Sequence, residues 1–223
     1  MVAAAGKGER MGASCPKVYL PLLGKPALCH GLASLATHGL VKAVFLVLAP
    51  DDEHLSALED MLSSLPVPVF ACKVGGGTRA QSVLAGLGEM GKSYEDTWVL
   101  IHDGARPLIE HAWINALWQN RSDDGAILAV PASETLKEEE GGRIRRSIPR
   151  EKVWLAQTPQ LFRLGLLAEA LKHFPDATDE AQAMERAGWR PRLVPGSRAN
   201  LKITYPEDLA LMECLLSARG KKP

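Results

Sequence analysis

Short apolar runs alternate with amphipathic stretches along most of the chain. The runs are typical of buried strands, and they predict strands at residues 2–4, 41–49, 67–73, 98–101, 126–131, 193–194 and 201–203. Helix start and stop signals between the runs predict helices at residues 26–38, 50–65, 79–87, 109–120, 163–173 and 178–187, and a last helix capped by Thr204 and Glu207. This alternation predicts an α/β sandwich around a largely parallel sheet.

One stretch breaks the alternation. Residues 133–150 are strongly charged, and Gly141-Gly142 lies in their middle. Two strand-like arms around a Gly-Gly turn predict a β-hairpin. Because the stretch has few apolar side chains to bury, the hairpin is expected to project from the core, with a solvated loop as the alternative.

The first predicted strand, residues 2–4, is unusually short. It feeds a glycine-rich loop and should lie in the interior of the sheet, where strands usually have about five residues. We therefore expect native residues before Met1, lost through a misassigned start codon or a shortened chain. The genomic sequence upstream of the start codon tests this expectation.

Composition limits the function classes. The 223 residues carry a formal net charge of zero, so no global field favours nucleic acid or an anionic membrane. The four cysteines are scattered without a CxxC pair, which argues against a zinc site and favours a reduced, cytoplasmic protein. The longest apolar run, residues 43–50, is too short to span a bilayer.

A glycine-rich string near the N-terminus, AAAGKGERMGASCPK, is the first candidate site. It is not a Walker A loop, and it is an imperfect GxGxxG fingerprint, because Met11 stands at the third glycine position. On the glycines alone, a plain tight turn is equally possible. Small residues followed by Arg10 and Lys17 favour a loop that holds phosphate on backbone N–H groups and two cations.

A second glycine-rich loop, GGGTRAQSVLAGL, follows the third predicted strand. Thr78 can cap the helix behind it, which leaves Arg79 and Ser82 in the first turn. Ligands of open α/β sheets bind at the carboxyl ends of strands. The loop therefore predicts a second part of the same site, with a flexible turn as the alternative.

A third candidate is the string HDGARP, which follows the fourth predicted strand. An aspartate just past a buried strand can contact a metal or a ribose, although capping of a turn is the commoner role. The neighbouring Arg106 favours the functional interpretation for Asp103. His102 fits a buried, hydrogen-bonded core histidine, and no role is assigned to it.

Taken together, the strings AAGKGERM, CPK, GGGTRAQSV, HDGARP, ETLK, QTPQ, TDEA and NLKITYPEDL resemble, in order and spacing, the 2-C-methyl-D-erythritol 4-phosphate cytidylyltransferases. The resemblance covers nearly the whole chain. It implies a three-layer Rossmann-like nucleotidyltransferase fold with a mostly parallel sheet, and a single domain over residues 1–223. It also implies a β-arm at about residues 133–152 that clasps a second copy into a homodimer. The implied reaction is CTP plus methylerythritol phosphate to a CDP-alcohol and pyrophosphate, with Mg²⁺, in the non-mevalonate isoprenoid pathway.

The resemblance also implies roles for individual residues. The catalytic positions beside the α-phosphate are Arg10 and Lys17. The nucleotide-binding positions are Ala4, Ala5, Gly6, Gly8, Gly76, Gly77, Arg79, Ser82, Asp103 and Ala105. The positions that hold the polyol phosphate, some of them from the partner subunit, are Arg106, Thr135, Arg150, Thr158, Thr178 and Lys202. The chain departs from the family at Gly77, where many members carry an acidic residue, and at Ala3, usually proline.

The chemistry explains the residue types. A phosphate monoester, with a second pKa near 6, is mostly dianionic at pH 7 and needs no general base. The obstacle is the repulsion between this dianion and a triphosphate, which fixed cations, a metal and positioning offset. The chain accordingly shows no Ser-His-Asp or Cys-His constellation.

Three alternatives remain at this point. A ribitol 5-phosphate cytidylyltransferase would share the glycine loops and the cations, so that only the alcohol site discriminates. A non-catalytic nucleotide-binding regulator on the same fold would keep the glycines and lose the cations. An NAD-dependent oxidoreductase would need a third glycine at Met11 and an acidic residue where Ala49-Pro50 stands.

Overall fold

The computed structural model describes residues 1–6, 8, 12, 15–91 and 96–219. Its strands are β1 (Val2–Ala3), β2 (Pro21–Leu22), β3 (Lys25–Pro26), β4 (Val44–Val47), β5 (Val69–Cys72), β6 (Trp98–Asp103), β7 (Ala126–Pro131), β8 (Leu136–Glu140), β9 (Arg143–Ile148), β10 (Trp154–Arg163) and β11 (Arg192–Pro195). Its α-helices are α1 (Ala27–Ala36), α2 (Glu59–Ser63), α3 (Arg79–Glu89), α4 (His111–Asn120), α5 (Leu164–His173), α6 (Glu180–Arg186) and α7 (Glu207–Arg219). Among the described residues, 3₁₀ turns span Lys17–Tyr19 and Leu55–Leu58.

The central sheet has seven strands in the order β11-β7-β10-β6-β1-β4-β5. Strand β1 pairs in parallel with β4 and β6, β4 with β5, and β7 with β11. Strand β10 is inserted antiparallel between β6 and β7. The predicted, largely parallel sheet is confirmed, as is the interior position of the short first strand.

The side chains of the central strands alternate between two faces, and helices pack on both faces, so the fold has three layers. Successive side chains of a strand point to opposite faces of a sheet. On β4, Val44 and Leu46 therefore join the core cluster that contains the buried leucines of α1, whereas Val47 joins the cluster built on α3, α5 and α6. Helices cover both faces, which explains why the strands are apolar runs without a polar face.

The charged stretch forms the predicted hairpin. Within the part of the chain that the structure describes, strands β8 and β9 pair only with each other, as a separate two-stranded antiparallel sheet around Gly141 and Gly142. Both glycines have positive φ, of 60° and 77°, which is the backbone conformation that a tight hairpin turn needs. Side chains on the hairpin are mostly exposed, and Ile144 is 66% exposed.

The predicted helix over residues 50–65 is wrong in its first part. Helical structure begins only at the 3₁₀ turn Leu55–Leu58 and continues in α2. The reason is Asp52, which is 7% exposed. Its carboxylate accepts hydrogen bonds from the Tyr19 hydroxyl at 2.9 Å and from the His54 N–H at 3.0 Å, a local turn that competes with helix formation.

Two expectations near the C-terminus are also wrong. Residues 201–203 are not a strand: the Ile203 N–H donates to the Ala105 carbonyl at 2.9 Å without forming a ladder. The capping box of Thr204 and Glu207 is absent, because the Thr204 hydroxyl donates to the Lys202 carbonyl instead. Asp208 reaches back and accepts from the Thr204 N–H at 2.7 Å.

Within the part of the chain that the structure describes, no helix combines the length and the apolar content needed to cross a lipid bilayer. The carboxyl ends of β1 and β6 lie side by side, because Ala3 is paired with Asp103. The loops after these strands and the loop after β5 meet at this edge of the sheet, where the candidate site lies.

Candidate active site

A cleft of about 630 Å³ opens at the carboxyl ends of the central strands. Its walls are the two glycine-rich loops, the first turn of α3, the end of β6 and the segment before α7. The residues that line it are Ala3, Ala4, Ala5, Gly6, Gly8, Lys17, Val18, Gly76, Gly77, Thr78, Arg79, Ser82, Asp103, Ala105, Lys202 and Thr204. Every predicted nucleotide-binding position is in this set, together with Lys17 and Lys202.

The first glycine loop brings Lys17 to the cleft. Gly8 has a positive φ of 70°, and a Cβ built there would lie 3.0 Å from the Lys17 Cγ. The glycine therefore leaves space for the lysine stem to cross the loop. The Lys17 Nζ donates to the Ile203 carbonyl at 2.8 Å, on the segment that also carries Lys202. The other predicted catalytic residue, Arg10, lies outside the described residues.

The second glycine loop approaches the first at Gly75. A Cβ on Gly75 would lie 2.4 Å from the Ala5 Cβ and 2.7 Å from the Leu48 carbonyl oxygen, so only glycine fits. The Ser82 side chain, 5% exposed, accepts from the Gly76 N–H at 3.0 Å and donates to the Thr78 carbonyl at 2.9 Å. Ser82 thus shapes the loop as well as lining the cleft.

The N-terminus of α3 faces the cleft. Thr78 caps it as predicted: its hydroxyl accepts from the Gln81 N–H at 3.1 Å, and the Gln81 side chain accepts from the Thr78 N–H at 3.2 Å. A helix N-terminus carries a partial positive charge and favours anions. The eleven-residue helix therefore adds to the positive potential of the cleft.

Asp103, at the end of β6, is the centre of an ion-pair cluster. Its Oδ1 accepts from the Arg79 Nε at 3.0 Å and lies 2.9 Å from the Arg79 Nη2. Its Oδ2 lies 2.8 Å from the Lys202 Nζ and 3.6 Å from the Arg106 Nε. Behind the cleft, the Arg79 Nη1 also donates to the Oε1 of Glu180, the first residue of α6.

The cluster determines the protonation states of its two carboxyls. Burial alone would raise the pKa of Asp103, but Arg79, Lys202 and Arg106 together hold it well below its usual range. Burial raises the pKa of Glu180 above its usual value, because Arg79 offsets only part of the desolvation. Burial would lower the pKa of Arg79, whereas Glu180 and Asp103 raise it more. Arg79 and Asp103 are therefore charged throughout the physiological range.

Arg106 lies beside the cleft wall and does not line the cleft. Its side chain is 12% exposed, and its Nη1 donates to the Asn200 carbonyl at 2.5 Å. Asn200 is fully buried, and its Nδ2 donates to the Thr158 carbonyl at 2.8 Å. These contacts hold the segment that presents Lys202, so Arg106 supports Lys202 in this conformation.

Thr158 is 4% exposed and lies beneath the cleft floor. Its hydroxyl oxygen accepts from the Asp103 N–H at 3.0 Å and contacts the His102 Nδ1 at 3.2 Å. The His102 Nε2 contacts the Arg106 carbonyl at 2.9 Å. His102 is the buried, hydrogen-bonded histidine that its position after a buried strand predicted, and Thr158 supports Asp103 from below.

Besides Arg106 and Thr158, the other three predicted substrate-binding residues that do not line the cleft of one chain are Thr135, Arg150 and Thr178. Thr135 and Arg150 are exposed at the base of the hairpin, where Arg150 donates to the Ser133 carbonyl. Thr178 is exposed just before α6, and its N–H donates to the Gln182 side chain at 2.8 Å. Their roles stay predictions, which for the hairpin residues involve a partner subunit.

The described residues do not form a protein cage for a metal ion. No three His, Cys, Asp or Glu side chains among them come together as a metal site. Asp103 is the carboxylate among the lining residues, and both of its oxygens contact cations. The expected Mg²⁺ therefore has no ready set of protein ligands here.

Sequence reasoning missed some residues that shape the site. Thr204 lines the cleft, although only a capping role was predicted for it. Glu180 and Asn200 are fully buried and hold Arg79 and the Lys202 segment. Both lie in strings that carry the resemblance, TDEA and NLKITYPEDL, which was the available signal.

Comparison with known proteins agrees with this geometry. The family model IspD, 2-C-methyl-D-erythritol 4-phosphate cytidylyltransferase, matches residues 1–218. A cytidylyltransferase of that name from Aromatoleum aromaticum is 47% identical over 225 residues, covering 99% of this chain and 95% of the relative. One from Dechloromonas aromatica is 46% identical over 223 residues, covering 98% and 97%.

Solved structures of the same family share this fold. A crystal structure of 4-diphosphocytidyl-2C-methyl-D-erythritol synthase superposes with a TM-score of 0.83 at 35% identity, covering 96% of this chain and 97% of that one. The family model, the curated relatives and the solved structures thus all confirm the resemblance based on motifs. The chain belongs to the IspD family, the 2-C-methyl-D-erythritol 4-phosphate cytidylyltransferases of isoprenoid biosynthesis, and is a nucleotidyltransferase.

Proposed function

We propose that the cleft binds CTP and transfers its CMP unit to 2-C-methyl-D-erythritol 4-phosphate. The observation that carries the proposal is the meeting of two glycine-rich loops, the N-terminus of α3 and two lysines, Lys17 and Lys202, in one cleft of about 630 Å³. Backbone N–H groups, a helix N-terminus and fixed ammonium groups are the elements that bind polyphosphates.

The proposed reaction is an in-line displacement at the α-phosphorus of CTP. An oxygen of the alcohol's phosphate forms a bond to this phosphorus, and the bond to the bridging oxygen of the β-phosphate breaks. Pyrophosphate leaves with that electron pair. The attacking phosphate is mostly dianionic at pH 7, so no protein group has to remove a proton.

Lys17 is proposed to stabilise the negative charge that develops on the α-phosphoryl oxygens. Its stem is held against Gly8, and its ammonium contacts the Ile203 carbonyl, so the charge is fixed before the nucleotide arrives. Preorganised charge is worth more than mobile charge because it needs no reorganisation during the reaction. Arg10 is predicted to act beside it.

Lys202 and the hairpin residues are proposed to bind the polyol phosphate. Lys202 is 37% exposed at the cleft and is held by Asp103. Thr135 and Arg150 would come from a partner subunit, which makes the homodimer part of the proposal. Each site would then need two chains.

Mg²⁺ is proposed to enter with the nucleotide. Magnesium commonly keeps several waters and binds through substrate phosphates. The occupied oxygens of Asp103 support this arrangement, because they leave the ion no obvious protein ligand in the described cleft. The ion would supply charge neutralisation of the triphosphate.

A cytoplasmic location is also proposed. Cys15, Cys29, Cys72 and Cys214 are all unpaired thiols. Unpaired cysteines are the usual state in a reducing compartment. Pathway enzymes of this kind also act on phosphorylated metabolites, which do not readily cross membranes.

The decisive experiment measures pyrophosphate release from CTP and Mg²⁺ with each of two alcohols. We expect turnover with 2-C-methyl-D-erythritol 4-phosphate and little with ribitol 5-phosphate. Faster turnover with ribitol 5-phosphate would assign the alcohol site to the alternative substrate. Release with neither alcohol from folded protein would contradict the proposed transfer.

The role of Lys17 is tested by Lys17→Ala in the same assay. We expect kcat to fall by about a hundredfold or more, the usual loss when one preorganised electrostatic donor is removed. Lys172→Ala is the matched control, because Lys172 is exposed on α5 and forms an ion pair with Glu169 there, away from the cleft-lining residues. A loss of less than about threefold for Lys17→Ala would reject its catalytic role.

A further inference from the structure

Glu180 is a fully buried carboxylate behind the cleft. Its Oε1 accepts from the Arg79 Nη1 at 2.5 Å, and its Oε2 has no hydrogen-bond partner among the described residues. Burying a carboxylate is costly, and an apolar pair of similar volume would often be as stabilising. Stability alone is therefore a weak explanation for this residue.

Glu180 is held rigidly from the other side. The fully buried Gln160 of β10 accepts from the Ala181 N–H at 2.9 Å and donates to the Asp179 Oδ2 at 2.9 Å. Asp179 in turn caps α6, because its Oδ1 accepts from the Gln182 N–H at 2.8 Å. These hydrogen bonds fix the first turn of α6, which carries the side chain of Glu180.

Arg79 connects Glu180 to the residues that line the cleft. Its guanidinium is fixed between two carboxylates, with Nη1 on Glu180 and Nε and Nη2 on Asp103. Asp103 then holds Lys202 at 2.8 Å. The charges alternate from Glu180 through Arg79 and Asp103 to Lys202, so a change at the buried end is passed to groups that line the cleft.

We propose that Glu180 is a positioning residue for cytidylyl transfer, which acts by holding Arg79 against Asp103 so that the first turn of α3 and Lys202 face the nucleotide correctly. The inference rests on the proposed function, because it assumes that CTP occupies this cleft. Glu180 itself does not line the cleft and is not a catalytic residue.

Positioning and simple electrostatics predict opposite results. The ligand is a polyanion, and Glu180 adds a negative charge behind its site. If only the field mattered, neutralising Glu180 would strengthen CTP binding. If Glu180 positions Arg79, neutralising it leaves the guanidinium held strongly by Asp103 alone and weakens CTP binding.

The test is titration calorimetry of CTP with Mg²⁺ on Glu180→Gln, which keeps the shape and removes the charge. We expect the Kd for CTP to rise by about tenfold, because the neutral amide oxygen of glutamine still accepts from Arg79 but holds the guanidinium more weakly than a carboxylate does. Glu185→Gln is the matched control, because Glu185 is exposed on the same helix. Unchanged or tighter CTP binding by Glu180→Gln would overturn the proposal.

A double-mutant cycle tests whether the effect passes through Arg79. We expect Arg79→Met to weaken CTP binding, and Glu180→Gln to add less than twofold to it in the double variant. Full additivity would overturn the proposal. If Glu180→Gln does not fold, Glu180→Asp carries the same cycle, since it keeps the charge but shortens the reach; wild-type CTP binding by it would contradict the proposal.

CTP binding by the wild-type protein separates a wrong positioning role for Glu180 from a wrong function for the cleft. If the wild-type protein binds no CTP, the proposed function is wrong and the inference falls with it. If the wild-type protein binds CTP and Glu180→Gln binds it equally well, only the positioning role is wrong. The binding measurement does not depend on the identity of the alcohol.

Discussion

His102 shows how a single residue can report the integrity of the site. A carbonyl oxygen can only accept, so the contact with Arg106 places the imidazole hydrogen on Nε2. The Nδ1 lone pair is then free to accept from the Thr158 hydroxyl, whose oxygen also accepts from the Asp103 N–H. This arrangement requires a neutral ring, and burial lowers the pKa of His102 to about 4.

The lowered pKa predicts a pH dependence of stability. Between pH 6.5 and about 4 the unfolded chain binds a proton at this histidine that the folded chain does not. The free energy of unfolding should therefore fall as the pH drops through this window, by at most about 1.4 kcal/mol per pH unit from this residue. Urea denaturation at pH values from 4.5 to 7.5 measures the slope.

The comparison protein for this measurement is His102→Gln. Its amide can still donate to the Arg106 carbonyl but does not titrate. We expect its slope between pH 6.5 and about 4 to be smaller than that of the wild type. Equal slopes would mean that His102 protonates similarly in both states, contrary to its burial.

At the scale of elements, the N-terminus of α3 joins stability to function. The reciprocal bonds between Thr78 and Gln81 satisfy two N–H groups at the start of the helix. The Thr78 hydroxyl also lies 3.2 Å from the Pro175 carbonyl, to which it donates. The same turn presents Arg79 and the second glycine loop to the cleft.

Thr78→Ala is predicted to lower the free energy of unfolding by about 1 kcal/mol, because the cap is lost. Urea denaturation at neutral pH measures the change. Thr78→Ser keeps a hydroxyl at the cap and should remain close to the wild type. If alanine and serine variants were equally stable, the capping box would not contribute as described.

At the scale of the whole molecule, the hairpin of β8 and β9 is separate from the central sheet. Backbone pairing forms it, and the ion pairs at its surface, such as that of Arg145 with Glu138 at 3.0 Å, contribute little to stability. Its Ile144 is exposed and belongs to none of the three hydrophobic clusters found among the described residues. A hairpin of this kind suits contact with a second copy.

Removal of residues 137–147 tests the proposed homodimer. Leu136 and Ile148 are paired across the hairpin, so an Asn-Gly turn can join them directly. We expect the shortened protein to stay folded by circular dichroism, to be monomeric by light scattering, and to lose activity. A shortened protein that still forms the wild-type oligomer would contradict the role of the arm.

Local features of the chain predicted much of the fold and of the cleft. The apolar runs marked β4, β5, β6 and β7 to within a few residues, and turn chemistry marked the loop before α3 and the hairpin. These features are local because side-chain periodicity, glycine conformations and helix caps act over a few residues. The same local signals located the glycine-rich loops, whereas the individual nucleotide-binding positions came from the family resemblance of the strings that contain them.

Contacts between segments far apart in the chain were decided by the tertiary structure alone. Lys17 bonds to Ile203, 186 residues away, and Arg79 bonds to Glu180, 101 residues away. Arg106 donates to the Asn200 carbonyl and does not line the cleft, and residues 201–203 do not form a strand of the sheet. Sequence determined which residue types stand at each loop, because backbone and side-chain preferences are local. Which charges pair, and which are buried, depended on the packing of elements far apart in the chain, because ion pairs and burial are properties of the assembled fold.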